Sequence, residues 1–219
     1  GERAGIAAIN FTGNNSIGAN NLKSALLTKE TGFLSWLVRD DTYDEQKLAV
    51  DRERVRLYYA NRGYPDAQVS TATEYDPARN AYFINFTVNE GQRYEIGNVG
   101  IETSISGLNT YVLRGTVRTG QGNQYSMADL QRTIEDMAYE ASTQGYSFAD
   151  VRARLDRDVA TNTFNITYLV DEGARVYVER INITGNVKTR DFVIRRELGF
   201  AEGDPFNRSA VIRGRTAIE

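Results

Sequence analysis

Chemistry in this 219-residue chain has to run through carboxylates and hydroxyls, because the sequence holds 29 aspartates and glutamates but no histidine and no cysteine. That composition removes disulfides, zinc sites built on cysteine, thiol nucleophiles and histidine-based general bases. Two facing carboxylates can hydrolyse a glycosidic bond, one as acid and the other as base or nucleophile. Here the acids fall at helix starts, turns and strand edges, not on converging positions, so a carboxylate-dependent hydrolase is the weaker reading. Asp40, Asp41, Asp44 and Glu45 are cation ligands by type. They lack the glycine and terminal glutamate spacing of a calcium loop, and acids at a helix N-terminus account for them better. Gly120-Gln121-Gly122 is not followed by phosphate-loop residues and reads as a turn. Asn10, Asn85, Asn165 and Asn182 each begin an Asn-x-Thr sequon, but all four sit in strand-like alternation, where a glycan would obstruct pairing. No cofactor and no metal ion is expected.

Hydrophobic residues make up 41% of the chain, enough for folded cores. The net charge of -3, with both signs mixed and a pI near 5.3, lacks the basic stripe of a nucleic-acid binder. A nucleic-acid partner is therefore not expected. No run approaches the roughly 18 apolar residues of a membrane helix, and no basic-then-apolar leader begins the sequence. Absence of cysteine suits an oxidising compartment such as the periplasm.

An internal repeat organises these residues. Asn89-Glu90-Gly91-Gln92-Arg93-Tyr94 aligns with Asp171-Glu172-Gly173-Ala174-Arg175-Val176 at an offset of 82 residues. The same offset places Tyr43 on Tyr125, Leu48 on Leu130, Val55 on Met137, Gly63-Tyr64 on Gly145-Tyr146, Val69 on Val151 and Ile101 on Ile183. Three units follow, 1–91, 92–173 and 174–219, the last of which is expected to stop inside its second helix.

Within each unit the hydrophobic period changes in a fixed order. Ile9 and Phe11, Val99 and Ile101, and Ile181 and Ile183 alternate with polar residues as first strands. Short helices are expected over 20–29, 108–118 and 189–198. A longer helix over 126–143 carries Leu130, Ile134, Met137 and Ala141 on one stripe, with Ser126 as N-cap. Its equivalent over 44–61 has Arg52 in place of Ile134, and Gly63 and Gly145 occupy the left-handed positions that stop the two helices. Two strands close each unit, 68–75 with 82–89 and 151–158 with 163–171, joined by turns ending at Asn80 and Asn162. Each unit is thus β-α-α-β-β, an α+β fold. A first strand parallel to the last, and a last strand antiparallel to the second, puts the last strand in the middle and the second strand at an edge.

This β-α-α-β-β repeat, its Val88-x-Glu90-Gly91-x-Arg93-Tyr94 and Val170-x-Glu172-Gly173-x-Arg175 junctions, and first strands ending Thr12-Gly13-Asn14 and Thr184-Gly185-Asn186 closely resemble the polypeptide-transport-associated, or POTRA, domain. About nine extra residues in the first unit, including Phe33, Leu34 and Trp36, resemble the third such domain of BamA-type outer-membrane assembly factors. Val193 to Leu198 resemble the first helix of the fifth. The resemblance implies a periplasmic array, tethered to the outer membrane in the full-length protein by a C-terminal barrel not present here. It further implies binding of unfolded outer-membrane β-barrel proteins and docking of accessory outer-membrane lipoproteins. Scaffolds of related secretion or translocation transporters share the module and remain the nearer alternative.

Exposed strand edges accept extended peptides by main-chain hydrogen bonding. In Gln68, Val69, Ser70, Thr71, Ala72, Thr73, Glu74 and Tyr75, the outward set Gln68, Ser70, Ala72 and Glu74 is almost uncharged, so this edge is expected to add a substrate strand. The equivalent strand 151–158 turns Arg152, Arg154 and Asp156 outward and is expected to be guarded by charge. Arg195, Arg196 and Glu197 are expected to meet a lipoprotein partner, as the resemblance implies. Trp36, with Phe33 and Leu34, is expected to pack against its own unit.

Overall fold

A computed structural model describes residues 3–32 and 42–173, and the backbone of 209–214. The chain divides into Gly1–Arg93 and Tyr94–Glu219. The first unit runs β1 (Gly5–Thr12), α1 (Ala19–Ser24), α2 (Glu45–Ala60), β2 (Gln68–Asp76) and β3 (Ala81–Asn89). Its sheet has the order β1-β3-β2, with β1 parallel and β2 antiparallel to β3. The second unit runs β4 (Glu95–Thr103), α3 (Thr110–Arg114), α4 (Met127–Thr143), β5 (Ala149–Asp158), β6 (Thr163–Glu172) and β7 (Ser209–Gly214). Its sheet has the order β4-β6-β5-β7.

The repeat seen in the sequence is also a repeat of interactions. Asn80 and Asn162 both adopt positive φ (45° and 52°) at the end of their hairpin turns. Each offers its carbonyl to the first N–H of the parallel strand, from Gly5 and Glu95 respectively, at 3.0 Å. Asp76 and Asp158 each accept an N–H two residues on, from Ala78 and Ala160, as Asx turns do. Ahead of the long helices, Thr42 bridges Gly5 and Gln124 bridges Glu95. Tyr43 then stacks on Tyr82 at 3.9 Å, and Tyr125 meets Phe164 at 5.2 Å.

Asp44 and Ser126 cap α2 and α4, Asp44 accepting from Gln46 and Lys47 and Ser126 from Asp129. Both helices are followed by a glycine in the left-handed region, Gly63 at φ 97° and Gly145 at φ 98°. The tyrosines that follow differ: the Tyr64 ring folds back edge-on against Tyr59 of its helix, whereas the Tyr146 hydroxyl donates to the Ser106 carbonyl in the loop after β4. Gly13 is needed for a different reason. A Cβ there would lie 2.0 Å from the Val88 carbonyl oxygen, so the loop after β1 can pass close to β3 only as glycine. Glu90, from the junction motif, holds that loop from the other side by accepting from the Ser16 N–H (2.9 Å) and hydroxyl (3.0 Å).

The first helix of each unit is shorter than its apolar pattern suggests. The expected 20–29 ends at Ser24, and the expected 108–118 ends at Arg114. A buried polar side chain on the long helix accounts for both. Asp51, fully buried on α2, accepts the N–H groups of Leu27 (2.6 Å) and Thr28 (3.0 Å). At the same place in the repeat, buried Thr133 on α4 accepts the N–H of Arg118 at 2.9 Å. Donors that a continuing helix would have used internally are turned onto its neighbour.

Each core lies between the helices and one face of the sheet. In the first unit it includes Ile6, Leu22, Leu48, Val55, Ile84 and Phe86. In the second it includes Leu113, Leu130, Ile134, Met137, Ile166 and Tyr168. Tyr168 is buried with its hydroxyl 2.7 Å from Thr119 Oγ1. Burial pushes its phenol up to about 12, partly offset by that hydrogen bond.

Two outcomes follow. Asp51→Ala strands the buried N–H of Thr28 and the part-buried N–H of Leu27, so urea denaturation should register a loss of about 2 kcal/mol. Hydrogen exchange should then show the amides of Leu27 and Thr28 unprotected, and full protection there would contradict the assignment. The raised Tyr168 phenol favours the fold fully below pH 10 and progressively less as pH climbs toward 12, an alkaline loss of about 3 kcal/mol. Tyr168→Phe should lack that loss when stability is compared at pH 9 and pH 12.

Candidate strand-addition edge

The hairpin β2–β3 turns one edge of β2 inward against β3, in register from Gln68 opposite Asn89 to Asp76 opposite Ala81. Among the described residues no strand pairs with its other edge. Gln68, Ser70, Ala72 and Glu74 are exposed on the outer face, as their alternation requires. The helix-facing set is also unusually open. Val69 and Thr71 are only half-buried, and Thr73 and Tyr75 are exposed. At the equivalent positions of β5, Val151, Ala153 and Leu155 are all buried.

Both cover and polarity enter the contrast, since β5 has a second strand along its outer edge and β2 has none among the described residues. Arg52 extends from α2 over β2, and its Nη1 donates to Thr71 Oγ1 at 2.7 Å. The repeat places Ile134 and Ala153, both buried, at the same two positions of the second unit. Where the second unit closes helix onto strand with apolar contact, the first leaves a polar seam along its free edge. At the far end of the strand, Tyr75 remains 46% exposed and its hydroxyl donates to Asn80 Oδ1 at 2.9 Å.

The edge expected to be guarded is the one that is occupied. Strand β7 pairs antiparallel with β5, from Val151 opposite Gly214 to Asp156 opposite Ser209. Residues 209–214, expected within the second helix of the third unit, are strand instead. The charges on β5 do not prevent this because side chains stand off the sheet faces while main-chain donors and acceptors lie in its plane. Moreover, those charges are engaged across the face. Arg152 pairs with Asp171 at 3.1 Å, and Arg154 lies 3.5 Å from Asp156 with Thr167 Oγ1 3.4 Å from its Nη2. The only advance signal for β7 is the β-branched pair Val211-Ile212.

Arg195, Arg196 and Glu197 lie outside the described residues, as do Phe33, Leu34, Trp36, Asp40 and Asp41. Asp44 and Glu45 open α2 as helix N-terminal acids. Gly120-Gln121-Gly122 forms a turn, with the Gly122 N–H donating to the Ile96 carbonyl at 2.8 Å. No group of three or more candidate metal ligands occurs among the described residues. A cavity of about 400 Å³ lies beside Gly115, Arg118, Asp136, Tyr139 and Glu140. Its Asp136 is held by Arg118 at 2.9 Å rather than facing Glu140 as a free acid–base partner. No described helix is long and apolar enough to cross a membrane.

Comparison with known proteins agrees with this architecture. The family model POTRA, described as a surface antigen variable number repeat, matches residues 4–91, 94–173 and 176–219. The outer membrane protein assembly factor BamA of Neisseria meningitidis serogroup B is 30% identical over 220 residues, covering 100% of this chain and 28% of that protein. BamA of Nitratidesulfovibrio vulgaris is 28% identical over 209 residues, covering 94% of this chain and 26% of that protein. The chain therefore spans less than a third of these curated relatives. The crystal structure of Haemophilus influenzae BamA POTRA3-5 superposes with a TM-score of 0.63 at 23% identity, covering 85% of this chain and 73% of that one. The family match extends over nearly the whole sequence and the described units share the solved fold, and so this chain belongs to the POTRA family.

Proposed function

We propose that this chain is the periplasmic docking portion of an outer-membrane β-barrel assembly factor. In this reading it performs no covalent chemistry, and it binds unfolded barrel proteins by adding their strands to the free edge of β2. The observation that carries it is the occupied edge of β5, where a six-residue segment lies antiparallel along positions 151–156. The repeat maps those positions onto 69–74 of β2, whose edge is unpaired among the described residues. A fold that accepts a strand at one copy of this edge is suited to accept one at the other. Barrel precursors suit the site because they are rich in amphipathic strands without partners, and main-chain hydrogen bonding tolerates many sequences.

The names of the relatives support the assembly role, and the POTRA fold supports a periplasmic location, with tethering to the outer membrane through a barrel in the full-length protein. Accessory lipoproteins are assigned to Arg195, Arg196 and Glu197, where a charge-assisted contact would form.

Because the native chain contains no cysteine, Ala72→Cys provides a single reactive position on the outer face of β2. A photoactivatable crosslinker there should capture an unfolded barrel protein, and Thr73→Pro, which removes an N–H on the edge turned away from β3, should reduce that capture at least tenfold. Equal capture by the proline variant, with its circular dichroism unchanged, would remove the assignment.

A further inference from the structure

We propose that the β2 edge selects strands carrying a carboxylate at the position opposite Thr71, and that Arg52 reads it. This rests on the strand-addition reading above and adds a chemical preference to it. Residues directly opposite one another on neighbouring strands share a face of the sheet. In the second unit Ala153 of β5 has Ile212 of β7 as its register partner, and the repeat pairs Ala153 with Ile134 of the long helix. Ala153 and Ile134 are both buried, so the receiving positions of that unit are apolar.

The first unit has changed both groove positions to polar ones. Thr71 replaces Ala153 and Arg52 replaces Ile134 at the 82-residue offset. One arm of the Arg52 guanidinium is spent on Thr71 Oγ1 at 2.7 Å. Its nearest carboxylate, Glu45 Oε1, is 4.0 Å away on a side chain that is 67% exposed, too distant for a hydrogen bond. The remaining N–H groups have no acceptor among the described residues, although a guanidinium presents five donors in a rigid fork. An added strand would run about 4.8 Å beyond β2. A glutamate or aspartate on its helix-facing side, opposite Thr71, therefore comes within reach of the fork, whereas a lysine there meets a like charge. An apolar residue leaves the fork without a new acceptor. The preferred ligand is thus an extended segment with one acidic residue among its helix-facing positions, distinct from the segment on the β5 edge, which has Ile212 at the equivalent register position.

The test measures fluorescence anisotropy of ten-residue strand-forming peptides with the whole 219-residue chain. The peptides differ only at one central position, which is Glu, Gln or Lys. The Glu peptide should bind about fivefold more tightly than the Lys peptide, as a half-exposed ion pair allows. Arg52→Glu should invert that order. Arg52→Ile, which installs the residue of the second unit, should erase it and guards against a reversal variant that fails to fold. Thr73→Pro should weaken all three peptides alike. An unaltered order in Arg52→Ile, with Thr73→Pro still weakening every peptide, would overturn the charge selection and leave strand addition standing. Undiminished binding of every peptide to a folded Thr73→Pro variant would overturn strand addition and the selection with it.

Discussion

The parallel pairing of β1 with β3 is the constraint from which the rest of the first unit follows. Strands in parallel need a long connection, and both helices are contained in it. The last strand, placed against the first, can take its hairpin partner only on its other side, which leaves β2 outermost. The outer position of β2, on which the proposed binding rests, is therefore a consequence of connectivity before it is a matter of side chains. The same constraint acts on β4 and β6 and leaves β5 outermost in the second unit, where β7 has joined it.

Having the fold twice separates what the architecture needs from what each unit has made its own. The positive-φ asparagines, the left-handed glycines, the aromatic pair ahead of the long helix and the buried acceptor on that helix occur in both copies. Asp51 and Thr133 differ in charge, yet both accept backbone N–H groups from the segment after the first helix. Arg52 with Thr71, against Ile134 with Ala153, belongs to the other class. Nothing in the shared frame calls for a cation there, and an isoleucine holds the equivalent helix against its strand. Divergence at a position the frame leaves free, beside a strand edge unpaired among the described residues, is what the proposed charge selection rests on.

Most of the frame was legible in the sequence because it rests on local periods. The alternation in 82–89 and 163–171, the helical stripe of Leu130, Ile134 and Met137, and the glycines at 63 and 145 each report nearby geometry. The order of strands followed from connection lengths alone. The early ends of α1 and α3 were not legible, because the side chains that draw the backbone out of the helix come from residues about 15 to 24 positions away. Strand β7 escaped for a related reason: its six residues carry little period, and its partner lies more than 50 residues earlier. The guarded-edge reading failed on geometry, since alternation tells which face a side chain occupies but not whether the in-plane edge is covered.

Main-chain pairing alone makes a weak and permissive site. Each added hydrogen bond contributes about 1 kcal/mol net, while ordering each residue of an unfolded chain costs about 1–2 kcal/mol. For a segment as short as the six paired residues of β7 the ordering cost matches or exceeds the gain from these bonds. Affinity then depends on what side chains add on the two faces of the new strand. The outer face of β2, with Gln68, Ser70 and Ala72, has little to add beyond contact, and its two acids are Glu74 and Asp76, the latter held in the turn by Ala78 and Arg79. The helix-facing side, with a guanidinium of unused hydrogen-bonding capacity above a half-buried threonine, has more. A site built this way holds many extended chains briefly and a subset somewhat longer.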